Sequence, residues 1–466
     1  MAWSTVAGAR LEVEHLHQPG GWASPGYLTI DQGGRIADVA DVAPPGWQPD
    51  ERVPGFAIPG VPNLHSHAFH RAIAGRTERR AEGAHDDLWT WRQAMYHAAA
   101  LVGPDELRDI AAMLYLELLQ GGFTQVGEFH YLHRDRRGQT FADRGTMAWQ
   151  LADAAAQVGI GLTLLPALYQ QGGVHEPLRA DQARFRLDLD DLVGIAVAAR
   201  DRGDPLLGAG VAPHSLRAAT IEGIRELAAA WRATGGGPVH IHVAERIEEV
   251  AVCRDRLGAS PVRLLLDQVG IDEGWCLVHA THADAQELRD VATVGASVAI
   301  CPVTEATLAD GLFPLPAYQD ARGAWGIGTD GHHTTDAALE LRMLELGQRL
   351  AGGRRNVVAA DSGPRRQTGR ALLDGALAGA PWLGPTTGRI EAGARADLVV
   401  LDGSVPALAA HGPDTVLDAW TMSGGPSPVR DVMVGGRWRI RDGHHPDEAT
   451  IRERYVATMH RMAEHG

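Results

Sequence analysis

Ile58-Pro59-Gly60-Val61-Pro62-Asn63-Leu64-His65-Ser66-His67 reads as an apolar strand ending in two histidines one residue apart. Alternate residues of a strand share a face, so His65 and His67 point the same way at its C-terminal end. Two neutral imidazoles on one face are half of a metal site, or merely two polar histidines. Other segments decide between these readings. Val239-His240-Ile241-His242-Val243-Ala244-Glu245 carries a strand-borne histidine and then a carboxylate three residues on. Leu277-Val278-His279-Ala280-Thr281-His282 again ends an apolar run in histidine, and Gly326-Ile327-Gly328-Thr329-Asp330 ends one in aspartate.

Outward from these segments, apolar β-prone runs are predicted at 56–63, 124–131, 161–168, 208–213, 238–243, 275–280, 297–302 and 323–328. Helix-like stretches lie between them at 104–119, 142–158, 221–233 and 283–294, the last with apolar residues at three-to-four spacing. Strand and helix alternating around eight strands predict an α/β fold, a parallel (β/α)8 TIM-like barrel. An open doubly wound sheet would favour a glycine-rich phosphate fingerprint after the first strand, and none is there. In a barrel all these strand ends converge on one rim, where active sites lie.

The two ends of the chain differ from the middle, with short strand-like pieces between Gly-Gly and Pro-Gly turns. They are expected to meet as a small β-sandwich module. The predicted division is 1–55 for its N-terminal part, 56–385 for the barrel, and 386–466 for its C-terminal part plus a terminal helix. Segments 75–87 and 170–176 read as long loops, and 354–370 as a polar, mobile connection.

The chain has 466 residues with 43 basic and 58 acidic side chains, a net charge of 43 − 58 = −15. That balance argues against a nucleic-acid partner, which needs a basic footprint. The sequence has no lysine, so every basic side chain is arginine. A P-loop lysine, a Schiff-base lysine and a carbamylated-lysine metal bridge are therefore excluded. Cys253, Cys276 and Cys301 lack close spacing and suit free thiols in a reducing cytoplasm. Met1-Ala2-Trp3-Ser4 does not begin a signal-peptide pattern, and no uncharged apolar stretch approaches the ~20 residues that span a bilayer, so no membrane partner is expected. The sequence leaves a homodimer open. The aromatic residues of 88–96 read as loop packing, and His444, His445 and His465 as exposed polar residues.

The segments "IPGVPNLHSH", "HIHVAE", "LVHATH", "GTD" and "GRIEAGARADLVVLD" resemble, in order and spacing, the amidohydrolase superfamily over nearly the whole chain. "NLHSHAF", "WTWR", "EFHYLH", "APHSLR" and "CPVTEATLADGLFP" are similar to its formimidoylglutamate deiminases. The resemblance implies zinc bound by His65, His67, His242 and Asp330, and the lack of a lysine to form a carbamylated bridge makes one ion the expectation. It implies Glu245 and His279 as a catalytic pair beside Asp330, acting on N-formimino-L-glutamate to give N-formyl-L-glutamate and ammonia in histidine degradation. Three imidazoles and a carboxylate suit zinc on chemical grounds too, with an open position for a water whose pKa falls toward ~7. Glu128 could bridge a second metal, but the expectation is a hydrogen-bonded carboxylate that supports the site.

A substrate with two carboxylates calls for arginine forks. Arg217 and then Arg92 are the candidates, and the resemblance adds Tyr131 and His214 to the pocket. Two departures stand out. His70 occupies a position where the family usually has glutamine, beside the substrate, and Asp330-Gly331-His332-His333 lacks the family's serine after the aspartate. Other readings are a deaminase or amidine hydrolase for an N-guanidino acid or a nucleobase, and a metal-free barrel without catalysis.

Overall fold

The computed structural model describes residues 8–78, 88–384 and 386–464. Eight parallel strands form the barrel: β1 (Val61–Ser66), β2 (Phe123–His130), β3 (Gly161–Leu168), β4 (Leu207–Ala209, resuming as Ala212–Pro213), β5 (Val239–Val243), β6 (Trp275–His279), β7 (Ser297–Ile300) and β8 (Ala324–Ile327). Neighbours in sequence are neighbours in space. Bridges Val211–Val239 and Ser215–His242 join β4 to β5, while Ile327–Asn63 and Ser66–Asp330 join β8 to β1 and close the cylinder. The expected helices fall at Pro104–Gln120, Thr146–Val158, Ile221–Ala233 and Ala285–Thr293. The second starts later than expected because Asp143 takes the Gly145 N–H and the Trp149 indole N–H in a turn ahead of it.

The chain's two ends do meet. Arg437–Ile440, Val429–Val434, Leu398–Leu401, Glu51–Pro59, Arg10–Gln18, Gly26–Ile30 and Ile36–Ala40 follow one another in a second sheet of the β-sandwich module. Its core of Leu11, Val13, Leu16, Leu28, Ile30, Val400, Met433 and Trp438 is separate from the barrel's. Glu51–Pro59 lies centrally, parallel to Arg10–Gln18 and antiparallel to Leu398–Leu401.

The single strand predicted at 56–63 is in fact two strands. Residues 56–59 pair within the module, and the barrel begins after Gly60. Both sides of the break are buried, so no change in polarity marks it. Gly60 is required by close approach, since a Cβ there would lie 2.1 Å from Thr124 Oγ1.

The expected terminal helix forms, while the expectations for 354–370 and His445 are corrected. The terminal helix Glu448–Glu464 packs on Pro104–Gln120 of the barrel, with Thr458 Oγ1 donating to Asp109 Oδ2 at 2.8 Å. The last part of 354–370 opens the helix Thr368–Leu377, where Arg370 is buried and donates to Pro19 O at 3.0 Å. His445 is buried and bonded to Val158 O. Residues 79–87 of the predicted 75–87 loop, and His465, lie outside the described residues. Among the described residues no helix is long and apolar enough to cross a membrane.

His17 in the module is 2% exposed, and neither ring nitrogen has a partner. Burial, then the charge of Arg370, lowers its pKa from 6.5 to about 3. The unfolded chain takes up this proton near pH 6.5 and the folded chain does not. The stability involved is therefore full above that pH and is lost as pH falls toward 3. At pH 5 the loss is about 2 kcal/mol, at ~1.4 kcal/mol per unit. Wild type should thus lose about 2 kcal/mol more than His17→Leu between about pH 7.5 and pH 5 in urea unfolding. Equal acid sensitivity would disprove it.

Candidate active site

At the C-terminal rim of the barrel the Nε2 atoms of His65, His67 and His242 form a nearly equilateral triangle with edges of 3.1, 3.2 and 3.1 Å. All three rings are buried. His67 Nδ1 is 2.7 Å from Phe129 O, and His242 Nδ1 is 2.8 Å from His214 O. A carbonyl only accepts, so each Nδ1 carries the proton and each facing Nε2 presents a bare lone pair. His65 Nδ1 has no partner. Asp330 Oδ1 completes the group at 3.4 Å from the Nε2 atoms of both His65 and His67. Tetrahedral ligands at ~2.0–2.1 Å from one ion sit about 3.3 Å apart, so this donor set fits a divalent metal. Bare lone pairs turned on one another in a buried space fit little else.

The backbone is forced to make this rim. Ala244, His279, Ala280, Asp330 and His332 all have left-handed φ, between 40° and 70°. For such residues the cost is of order 1–3 kcal/mol each, which is tolerated where surrounding packing fixes the chain.

A cleft opens over the triangle, lined by His67, His70, Arg92, Tyr131, His214, Arg217, His242, Glu245, His279 and Asp330 among others. His279 points Nδ1 at Glu305 Oε1, 3.3 Å away, and Nε2 toward Asp330 Oδ2 at 3.8 Å. Glu245 is paired with Arg217. His70 Nε2 is 2.7 Å from the Tyr131 hydroxyl, while its Nδ1 is buried without a partner. His214 meets Tyr169 and Tyr131 edge to face, and Arg92 lies over the Tyr96 ring.

Residues 56–439 match the amidohydrolase family. The chain belongs to that family. It is 42% identical over 447 residues to a formimidoylglutamate deiminase of Pseudomonas aeruginosa, covering 95% of this chain and 96% of that protein. A 5-methylthioadenosine/S-adenosylhomocysteine deaminase of Natronomonas pharaonis is 28% identical, over 83% of this chain and 82% of that one. Among solved structures, an amidohydrolase from Brucella melitensis superimposes with a TM-score of 0.90 at 37% identity, covering 98% and 100% of the two chains. A zinc-complexed atrazine chlorohydrolase from Arthrobacter aurescens shares the fold at a TM-score of 0.80 and 20% identity, over 97% and 99%.

Electrostatics sort the carboxylates of this amidohydrolase. Burial raises Asp330 to about 7, against the pull of His279. Burial would lower His279, but the bond to Glu305 and the charges of Glu245 and Asp330 lift it to about 10. Glu128, considered for a second metal, is fully engaged: it accepts from Ala68 N and Ser66 Oγ at 2.7 Å and from Tyr115 Oη at 3.2 Å. It braces the turn that carries His67. Beside Gly331 the space is taken by His333, whose Nε2 would lie 3.1 Å from a Cβ there. His332 is also a brace, with Nε2 3.1 Å from His67 O.

Sequence reasoning assigned no role to Glu305 or Glu249. Glu305 stands within the quoted "CPVTEATLADGLFP", and only the fold shows that it meets His279. Glu249 sits one helical turn beyond Glu245, a spacing that could have drawn attention to it.

His242→Ala should cut bound divalent metal at least about tenfold after dialysis against zinc, with the far-ultraviolet spectrum unchanged. Metal retained at the wild-type level would place the ion elsewhere.

Proposed function

We propose that the protein hydrolyses N-formimino-L-glutamate to N-formyl-L-glutamate and ammonia, as a step of histidine degradation in a reducing cytoplasm. The observation that carries this is the joining of a metal-competent triad with two arginines, Arg92 and Arg217, in one pocket. Such a pocket suits a small cationic amidine bearing carboxylates, and the relative from Pseudomonas aeruginosa bears the name of that activity. Three buried free cysteines suit the compartment.

One zinc ion held by His65, His67, His242 and Asp330 would supply Lewis acidity and bring a water's pKa toward ~7. The chain's own residues do the rest. Glu245 moves a proton from the attacking water to the departing nitrogen, which leaves as ammonia. Asp330 orients that water. His279, held at Nδ1 by Glu305, turns Nε2 inward to steady charge on the incoming oxygen. Arg217 and Arg92 take the carboxylates, with Tyr131, His70 and His214 shaping the space between.

Ammonia release should be far faster from N-formimino-L-glutamate than from N-guanidino-L-glutamate, guanine or adenosine. A preference for any of those three would overturn the substrate. Glu245→Gln should lower kcat by about 100-fold or more with zinc still bound. Arg217→Met should raise KM for the diacid by about tenfold or more without loss of zinc, and an unchanged KM would remove it from the site.

A further inference from the structure

Arg217 reaches the pocket from just beyond β4 and ends between two carboxylates. Nη2 donates to Glu245 Oε2 at 2.5 Å, and Nη1 is 3.5 Å from Glu249 Oε2. Glu249 belongs to the helix Ile247–Leu257, and its side chain is 1% exposed. The same Oε2 accepts the Glu245 N–H at 3.1 Å. Within this cluster Arg217 Nε is shielded from water and has no partner. In a planar guanidinium the Nε–H points along the same edge as Nη2, so that edge offers the two parallel donors that grip a carboxylate. The structure pairs Glu245 with Nη2 alone and leaves the buried Nε–H without an acceptor.

The contact has a cost for catalysis. Burial would raise the Glu245 carboxyl, but the Arg217 guanidinium, then His279 and His242, hold it below the ordinary carboxylate range. A carboxylate so stabilised is a poor acceptor for a proton near neutrality. It works only when the guanidinium has another anion to hold. A ligand carboxylate arriving on the Nε–Nη2 edge would satisfy the unpaired donor and replace one charged partner with another, an exchange favoured by the added bond.

We propose that a substrate carboxylate takes the Nε–Nη2 edge of Arg217, displaces Glu245 and so frees it for proton transfer, while Glu249 anchors the guanidinium through Nη1. This rests on the substrate class and the role of Glu245 given above. The carboxylate then belongs to the catalytic apparatus as well as to recognition: its binding energy is spent on turnover. Glu249 is a positioning residue, since it acts through Arg217.

The test compares N-formimino-L-glutamate with two amidines, each lacking one of its carboxylates, on the zinc-loaded protein. Removing the carboxylate that meets Arg217 should lower kcat by about 100-fold, the scale of a lost general base. Added acetate should restore part of that kcat, and in Arg217→Met the parent and truncated amidines should converge in kcat with no response to acetate. Glu249→Gln should raise KM for the parent about tenfold with kcat near wild type. Losses confined to KM for both truncated amidines would overturn the exchange, as would a kcat loss that acetate leaves untouched. A fall in kcat and zinc content together in Glu249→Gln would reduce Glu249 to a structural role and remove the anchor. Wild-type protein inert toward N-formimino-L-glutamate would instead refute the substrate; with wild type active, the other results bear on the exchange alone.

Discussion

Three imidazole nitrogens gathered within 3.2 Å of each other inside the barrel mouth, two of them with lone pairs fixed inward, set the terms for the rest of the site. Such groups repel unless a cation lies among them, and they cannot turn away because two of the three rings are pinned from behind. The pins are main-chain carbonyls, Phe129 O and His214 O, supplied by the strand ends of β2 and β4. The barrel therefore provides ligands from some strands and the means of orienting them from others. Five left-handed residues at the same rim are the backbone's share of the cost, met by a core packed from both sides of the cylinder.

Much of this was legible in the sequence for a simple reason. A buried parallel strand shows as an apolar run, and a histidine or aspartate at its end is conspicuous against it, as at His65, His242, His279 and Asp330. Legibility failed where burial was uniform. Nothing in residues 55–66 distinguishes a module strand from a barrel strand, because every side chain there is covered on both faces. It failed again for residues whose importance is relational. Glu249 and Glu305 are ordinary helix glutamates until the fold sets one against Arg217 and the other against His279. Gly331 and His333 show the reverse: the departure was plain in the sequence, and only the fold shows that His333 fills the space beside the glycine.

The pocket's charge economy follows from a chain that uses arginine alone. Guanidinium groups hold charge at any pH of interest and offer edges with defined directions, so each can serve two carboxylates at once. Arg217 does this between Glu245 and Glu249, and Arg246 does it between Glu248 and Asp310 nearby. A lysine ammonium would give up the directional edge on which such sharing depends.

The strand Glu51–Pro59 runs through Gly60 straight into β1, and its partner on one side, Leu398–Leu401, comes from more than three hundred residues later in the chain. A growing polypeptide leaving the ribosome thus makes the first two ligand histidines early, with Arg10–Gln18 on hand for one flank of the strand that leads to them, but cannot complete the other flank until nearly everything else has been made. Metal capture in the finished geometry must wait for the last segments to emerge, so the nascent chain carries its first ligand histidines through most of synthesis before both flanks of the preceding strand are paired.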